Sequence, residues 1–548
     1  MQETLFHLIE SFIKLNYATK EQEIILLEIA LLSKNFKSIS SLPLLVGITY
    51  DSLQDTLSKI NEKQHIRKLR GVYYTPKDLV EFTIINAIKQ NFGTLTPTNI
   101  QDLALNDINI KQLCFNRSIF DPTCGVGEFL LFALSLKFEL LANSSILCSK
   151  ANINKIVQTI YGNDINPESI LIVKLRIILL VAHKFGAKAV KGIVQTMQEN
   201  FTCFDAVAEK NQSYYDIIVG NPPYVEDKKY LSETHARLDE SFGNIYANIL
   251  VNSMGMLSEK GTFAFIIPIS YIATPRMKKL RSLLSTEMRQ QYILNYADRP
   301  DCLFVGVHQK LCILIAKKNQ FSEIYTSGYQ YWYKSERPLL FSRSNVTNND
   351  LYHPNFIPKL GNAVDSSIYK KVANLEDSSN HLSNLMSNTG SNSIYVNMRA
   401  TFWMKVFINP HIGGEYKKFT CSDPLSASLA FCILNSSLFW WHWVMVSDCW
   451  HITNKELTNF LLPENINQKC LNKAKSLAFN LEEKLESTKR YVGTKQVEYE
   501  YKHKFCIDQI HAIDDFVGEL YGLTDEEKTY IKFYQYKYRM GEDKNEGN

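Results

Sequence analysis

From about residue 71 to 318, short apolar runs ending in Gly, Asn, Asp or Pro alternate with longer stretches of helical periodicity, a rhythm that few folds accept. A strand buried on both faces reads as a continuous apolar run, and parallel neighbours need a helical crossover between them. The alternation therefore predicts an α/β fold built on a mainly parallel sheet. The strand candidates are residues 118–120, 160–161, 217–219, 262–267 and 311–316. In open sheets of this kind ligands sit at the carboxyl ends of the strands, and the polar clusters of this segment fall there.

At 548 residues the chain exceeds what one hydrophobic core usually organises. Residues 1–70 carry helical periodicity and, around Ser38, Gly47, Leu53, Leu57, Ile60 and Ile66, a run shaped like a small helix-turn-helix. That run either contacts nucleic acid or caps the following domain, and the cap is the preferred reading. Residues 319–465 are rich in Asn, Ser and aromatic side chains without a sustained period, which predicts a separate mixed domain. Residues 466–548 return to charged helix, with Leu471, Ala474, Leu477, Leu481 and Leu485 on one apolar face.

A net charge of +4 means that any nucleic-acid surface is a local patch, and it neither supports nor excludes such a partner. The 11 cysteines form no CxxC pair and the start of the chain does not read as a secretory leader, so a reducing cytoplasmic compartment is expected. The longest apolar stretches, residues 170–181 and 263–269, are too short for a membrane span, and the first contains Lys174 and Arg176. No membrane partner and no metal are expected.

The most informative segment is a buried strand running directly into Asn221-Pro222-Pro223-Tyr224. Two successive prolines fix φ and remove two donors, so the loop offers carbonyl acceptors from a rigid frame. That suits a substrate presenting only N–H groups, such as the exocyclic amine of adenine. If the Asn221 side-chain oxygen and the Pro222 carbonyl each accept one of its hydrogens, the nitrogen lone pair is aimed outward. No charged base is needed when the electrophile is a sulfonium. Tyr224 can stack on the base, an interaction worth on the order of 1–3 kcal/mol.

This tetrapeptide resembles the catalytic motif of the amino-methyltransferases, which act on adenine N6, cytosine N4 or glutamine amides. Upstream, Asp121-Pro122-Thr123-Cys124-Gly125-Val126-Gly127-Glu128 reads as a glycine turn between strand and helix. It is similar to the motif that holds the methionine part of S-adenosylmethionine in that family. Asp164, at the end of the next strand, can accept both ribose hydroxyls, with Ile165 beside it; the same residues also suit a helix N-cap. The resemblance further implies that Asp205 takes the cofactor adenine amine. It implies that Tyr74, Thr75 and Pro76, within Gly71-Val72-Tyr73-Tyr74-Thr75-Pro76, cap the cofactor, and that Phe304 packs on an extruded base.

The order of these motifs is that of the gamma class of N6-adenine DNA methyltransferases of restriction-modification systems. The resemblance covers about residues 71–318 and implies a Rossmann-like S-adenosylmethionine-dependent domain, followed by a C-terminal mixed α/β target-recognition domain at 319–465. It implies double-stranded DNA as the partner, with a separately encoded restriction endonuclease as a further one. Phe439-Trp440-Trp441-His442-Trp443 is read as core and not as a base-stacking face. An RNA or protein-amide methyltransferase, or a DNA-binding regulator on a methyltransferase scaffold, are the alternatives. No cleavage activity is expected, because Glu500-Tyr501-Lys502 lacks a partner carboxylate in a strand context.

Overall fold

The computed structural model describes residues 2–33, 43–59, 74–209, 212–234, 238, 240–353, 355–376, 378–386, 390–464 and 466–541. Ser38, Ile60 and Ile66 of the helix-turn-helix reading, and Gly71, Val72 and Tyr73 of the cap motif, lie outside the described residues.

The central strands are β1 (Ile119–Asp121), β2 (Ile160–Asn163), β3 (Phe201–Thr202), β4 (Tyr215–Gly220), β5 (Leu257–Pro268), β6 (Gln290–Tyr296) and β7 (Leu311–Lys317). With β8 (Glu323–Gln330) and β9 (Thr347–Asn348) they form one sheet, ordered β3-β2-β1-β4-β5-β7-β6-β8-β9. The first five in that order are parallel, and β7 runs against both β5 and β6. The expected α/β architecture is present. The β1 register sets Ile119 beside Ile160 of β2 and Ile217 of β4, so the polar residues that follow β1, β2 and β4 emerge side by side. Helix Lys77–Phe92 packs on β4, β5 and β7, and helix Glu128–Ala142 packs on β1 and β2. These two helices also touch each other and so share a face of the sheet, while helix Ile245–Gly255 packs separately on β5.

The sheet does not stop at 318. β8 pairs in parallel with β6 and β9 pairs with β8, so the boundary expected between 318 and 319 falls inside the sheet. Cross-strand pairing, not apolar content, recruits β8, whose sequence EIYTSGYQ is largely polar. Beyond it, β10 (Asn392–Asn397), β11 (Val406–Phe407) and β12 (Tyr416–Cys421) form a small antiparallel sheet that helix Pro424–Asn435 covers. Helix Ser437–Val446 is buried along its whole length, including Trp440, Trp441, His442 and Trp443. One continuous apolar core runs from Leu5 to Tyr534.

The N-terminal helices Thr19–Leu32 and Tyr50–Lys59 pack on helix Pro167–Phe185. Glu28 accepts the backbone N–H of Gly192 at 2.7 Å, and Gln54 accepts Nε of Arg176 at 2.8 Å. The described part of the segment thus packs against helix Pro167–Phe185, which flanks the sheet. Among the described residues no single helix is long and apolar enough to cross a membrane.

Candidate cofactor and target site

Three acids and an amide converge at the carboxyl ends of β1, β2, β3 and β4, where the strand order reverses and a crevice opens. Asp121 closes β1 and is buried; its Oδ1 accepts the Thr123 N–H at 2.9 Å. Burial, reinforced by nearby Asp164, holds its carboxyl well above the usual range. Gly220 is small for the same reason that Asp121 is buried: a Cβ there would stand 3.0 Å from Asp121 Oδ1.

Asp164 reaches back across the glycine turn. Its Oδ2 accepts the Gly125 N–H at 2.9 Å and its Oδ1 accepts the Asn166 N–H at 2.8 Å. Gly125 has φ +52 and no heavy atom within 4 Å of where a Cβ would stand, so open space lies against its backbone. At Gly127 the constraint is reversed: φ is +94 and a Cβ would meet Val173 Cγ2 at 2.3 Å, because helix Pro167–Phe185 lies directly against the turn.

Asn163, the last residue of β2, is buried and ties three loops together. Its Nδ2 donates to the carbonyls of Pro122 and Phe204, both at 3.0 Å, and its Oδ1 accepts the Phe204 N–H at 3.0 Å. Asp121, Asp164 and Asp205 are thereby held on one frame. Sequence reasoning gave Asn163 no role, although a polar residue closing an apolar strand was a usable signal. Asp205 Oδ1 accepts the Val207 N–H at 3.0 Å and its Oδ2 accepts the Tyr230 hydroxyl at 2.6 Å. Tyr230, from helix Asp227–Thr234, was also missed, since nothing local marks it; burial and the neighbouring Asp205 push its phenol up.

These residues surround a cavity of about 440 Å³. Its walls include Tyr74 and Thr75, then Asp121, Thr123 and Gly125, then Asp164, Ile165 and Asp205, and finally Asn221 and Pro223. Glu128, Phe204 and, from the N-terminal cap, Ser58 join them without having been expected. Glu128 is paired with Arg176 at 2.6 Å. The Tyr74 phenol is pushed up to about 12, first by burial and then by Glu128, so it stays a neutral hydroxyl.

Pro76, Gly127 and Pro222 stand behind the walls: Pro76 starts helix Lys77–Phe92, Gly127 starts helix Glu128–Ala142, and Pro222 is buried. Phe304 stands apart. It is 2% exposed, bridges to Val307 and is packed in the core, away from the cavity walls.

The Asn221 amide is oriented from two sides. Nδ2 donates to Thr75 Oγ1 at 3.3 Å, and Oδ1 accepts the Tyr224 hydroxyl at 2.5 Å. The same hydroxyl lies 3.0 Å from the Ile266 carbonyl, and with one proton it serves one acceptor at a time. Oδ1 therefore retains a lone pair for an incoming N–H donor. The cavity volume suits a nucleoside-sized ligand. Acids after β2 and β3 that could accept hydroxyl and amine hydrogens, with open space over Gly125, make a site that S-adenosylmethionine could fit.

The architecture and this acid-walled crevice define a mixed α/β protein with a nucleoside-sized site at the switch point of its sheet. Residues 158–302, which contain Asp164, Asp205 and Asn221 to Tyr224, match the Eco57I restriction-modification methylase family. The segment carrying Asp164, Asp205 and the Pro-Pro loop is thus similar to restriction-modification methylases, in line with the resemblance read from the sequence. A stretch of 108 residues is 32% identical to a Methanocaldococcus jannaschii protein whose name places it with type II restriction enzymes and methyltransferases. It covers 19% of this chain and 9% of that protein. Among solved structures, the type IIL restriction-modification enzyme MmeI in complex with DNA has a TM-score of 0.45 at 12% identity, over 89% of this chain and 80% of that one. A nuclease-deletion mutant of the type ISP enzyme LlaGI with a DNA substrate mimic has a TM-score of 0.47 at 13% identity, over 80% and 49%.

Proposed function

We propose that this chain is a site-specific, cytoplasmic DNA methyltransferase of a restriction-modification or defence system, which methylates the N6 amine of an adenine extruded from double-stranded DNA. One observation carries the reading: the Asn221 amide is fixed between Thr75 and Tyr224 with a free lone pair on Oδ1, beside a cavity whose acids suit S-adenosylmethionine. Bound there, that cofactor supplies an electrophilic sulfonium methyl. Asp164 holds the ribose, Asp205 the adenine amine, and the turn from Asp121 to Gly127 the methionine end.

The extruded base costs a few kcal/mol of unstacking. Asn221 Oδ1 and the Pro222 carbonyl accept the two amine hydrogens and turn the nitrogen lone pair outward. The Tyr224 hydroxyl, able to move its proton from Asn221 to the Ile266 carbonyl, adjusts how strongly Oδ1 accepts. In this account Tyr224 supports Asn221 through its hydroxyl and offers its ring to the base. Phe304 reaches the base only if the loop that carries it shifts on DNA binding. A separately encoded restriction endonuclease is the natural partner of such an enzyme.

The test is transfer of labelled methyl groups from S-adenosylmethionine to plasmid DNA and, in parallel, to RNA. Label entering DNA with the wild type and not with Asn221→Ala supports the reading. Label entering RNA alone, or neither polymer, overturns it.

A further inference from the structure

The cofactor cap and the loop ending at Phe304 are far apart in the chain, and one side chain from beyond both holds them together. Arg337 lies in the 3-10 turn Lys334–Leu339 that follows β8. Its Nε and Nη2 donate to the two carboxylate oxygens of Asp78 at 2.6 and 2.9 Å. Its Nη1 donates to the Leu303 carbonyl at 3.1 Å, with the Cys302 carbonyl at 3.5 Å. Only a guanidinium carries enough donors in one rigid plane to bind a carboxylate with two nitrogens and a carbonyl with the third.

One partner sits beside the site, and the other precedes the aromatic expected on the target side. Asp78 is in the first turn of helix Lys77–Phe92, three residues after Thr75, which accepts Asn221 Nδ2. Leu303 immediately precedes Phe304. Arg337 also lies 5.6 Å over the Phe341 ring, which stacks on Phe82 of the same helix with centroids 4.7 Å apart. The Arg337 side chain is 19% exposed and that of Asp78 41%, so the guanidinium is partly shielded while the carboxylate stays open to solvent, and the clamp rests on its two-nitrogen geometry and the Leu303 contact more than on burial of the charges.

We propose that Arg337 is a positioning residue for methyl transfer, which makes the seating of the cofactor cap and of the target-side loop depend on one side chain contributed by the segment after β7. The inference rests on the methyltransferase reading above. It assigns to that segment a part in the chemistry and not only in recognition.

Cofactor Kd and kcat for DNA methylation are measured on the full chain, with melting temperature followed alongside. Arg337→Gln is expected to raise the Kd for S-adenosylmethionine and to lower kcat, each by about tenfold, the size of a lost charge-assisted hydrogen bond. Arg337→Lys, which keeps the charge but not the fork, recovers part of both. Asp78→Asn raises Kd while kcat stays within about threefold, since the Leu303 contact survives. The paired swap Arg337→Asp with Asp78→Arg restores Kd but not kcat, because a carboxylate cannot donate to the Leu303 carbonyl.

Arg337→Gln with both constants within twofold of wild type overturns the proposal, as does a loss that tracks melting temperature alone with Lys no better than Gln. A wild-type chain that binds cofactor but methylates no DNA defeats the methyltransferase reading instead, and the Kd measurements still decide whether the clamp exists. A wild type that binds no S-adenosylmethionine defeats both.

Discussion

At Asn221, two hydrogen bonds do what an isolated amide cannot: they fix which atom faces the cavity. Substituting Ala removes the acceptor and leaves the acids of the cofactor cavity in place. Asn221→Ala is expected to lower kcat on the order of 10²–10³-fold, as loss of a preorganised polar group does, with cofactor Kd changed only a few-fold. Isothermal titration alongside single-turnover transfer checks both halves. Asp164→Ala behaves in the opposite sense. It removes the proposed ribose ligand and frees the Gly125 N–H, so cofactor Kd is expected to rise roughly 10- to 100-fold, the worth of charge-assisted hydrogen bonds.

The sequence made these residues legible because each acid or amide interrupts an apolar run at a strand end. Tyr230 and Ser58 were not legible, because they reach the cavity from neighbouring helices and nothing local marks them. Phe304 shows the converse. Its position after Asp298-Arg299-Pro300 suggested a base-facing aromatic, but its ring is drawn into the core by the burial that any Phe gains.

Among the elements, β1, β2, β4, β5 and β7 could be read from apolar runs, whereas β3, β6 and β8 could not. β3 has only two residues. β6 carries Gln291 and Asn295 in its interior, both buried: Gln291 Oε1 accepts the Tyr271 hydroxyl from helix Ser270–Ala273, and Asn295 Nδ2 donates to the Ser327 carbonyl on β8, while Asn295 Oδ1 has no partner among the described residues. Polar residues with such distant partners look like loop in a sequence, because the partner that makes burial affordable is invisible there.

The junction between β1 and helix Glu128–Ala142 is where element packing and site geometry meet. Gly127→Ala places a Cβ in collision with Val173 at a left-handed φ, and helix Pro167–Phe185 cannot yield without disturbing the turn. A destabilisation of about 1–3 kcal/mol is expected, with cofactor affinity falling in parallel. Denaturant unfolding with and without S-adenosylmethionine measures both effects. An unchanged midpoint would mean that the turn is looser than the geometry shows.

For the molecule as a whole, the sheet extends through β9, past the boundary expected at 318, and a large apolar core continues beyond it. Composition alone could not show this, since the Asn- and Ser-rich texture after residue 318 reflects irregular connections and not an absence of core. His442 lies inside that core, next to Asn459, and burial holds it down to about 3. Its ordinary value is 6.5, so between those pH values the unfolded chain binds the extra proton. The contribution of His442 to stability is thus full above about 6.5 and is lost as pH falls toward 3, by up to roughly 1.4 kcal/mol per pH unit. His442→Gln should flatten the fall in stability between pH 6.5 and 5 by about that slope, which urea titrations at the two pH values resolve. An identical slope in both proteins would mean that the ring is already protonated in the folded state.

Everything at the three scales bears on one proposed bond, between the cofactor methyl group and an adenine amine that Asn221 would hold. The most direct measurement is mass spectrometry of nucleosides from duplex DNA incubated with the full chain and methyl-labelled S-adenosylmethionine. The expected result is label in N6-methyldeoxyadenosine, absent with Asn221→Ala. Label in a methylated cytosine, or adenine methylation that persists without Asn221, would contradict the account.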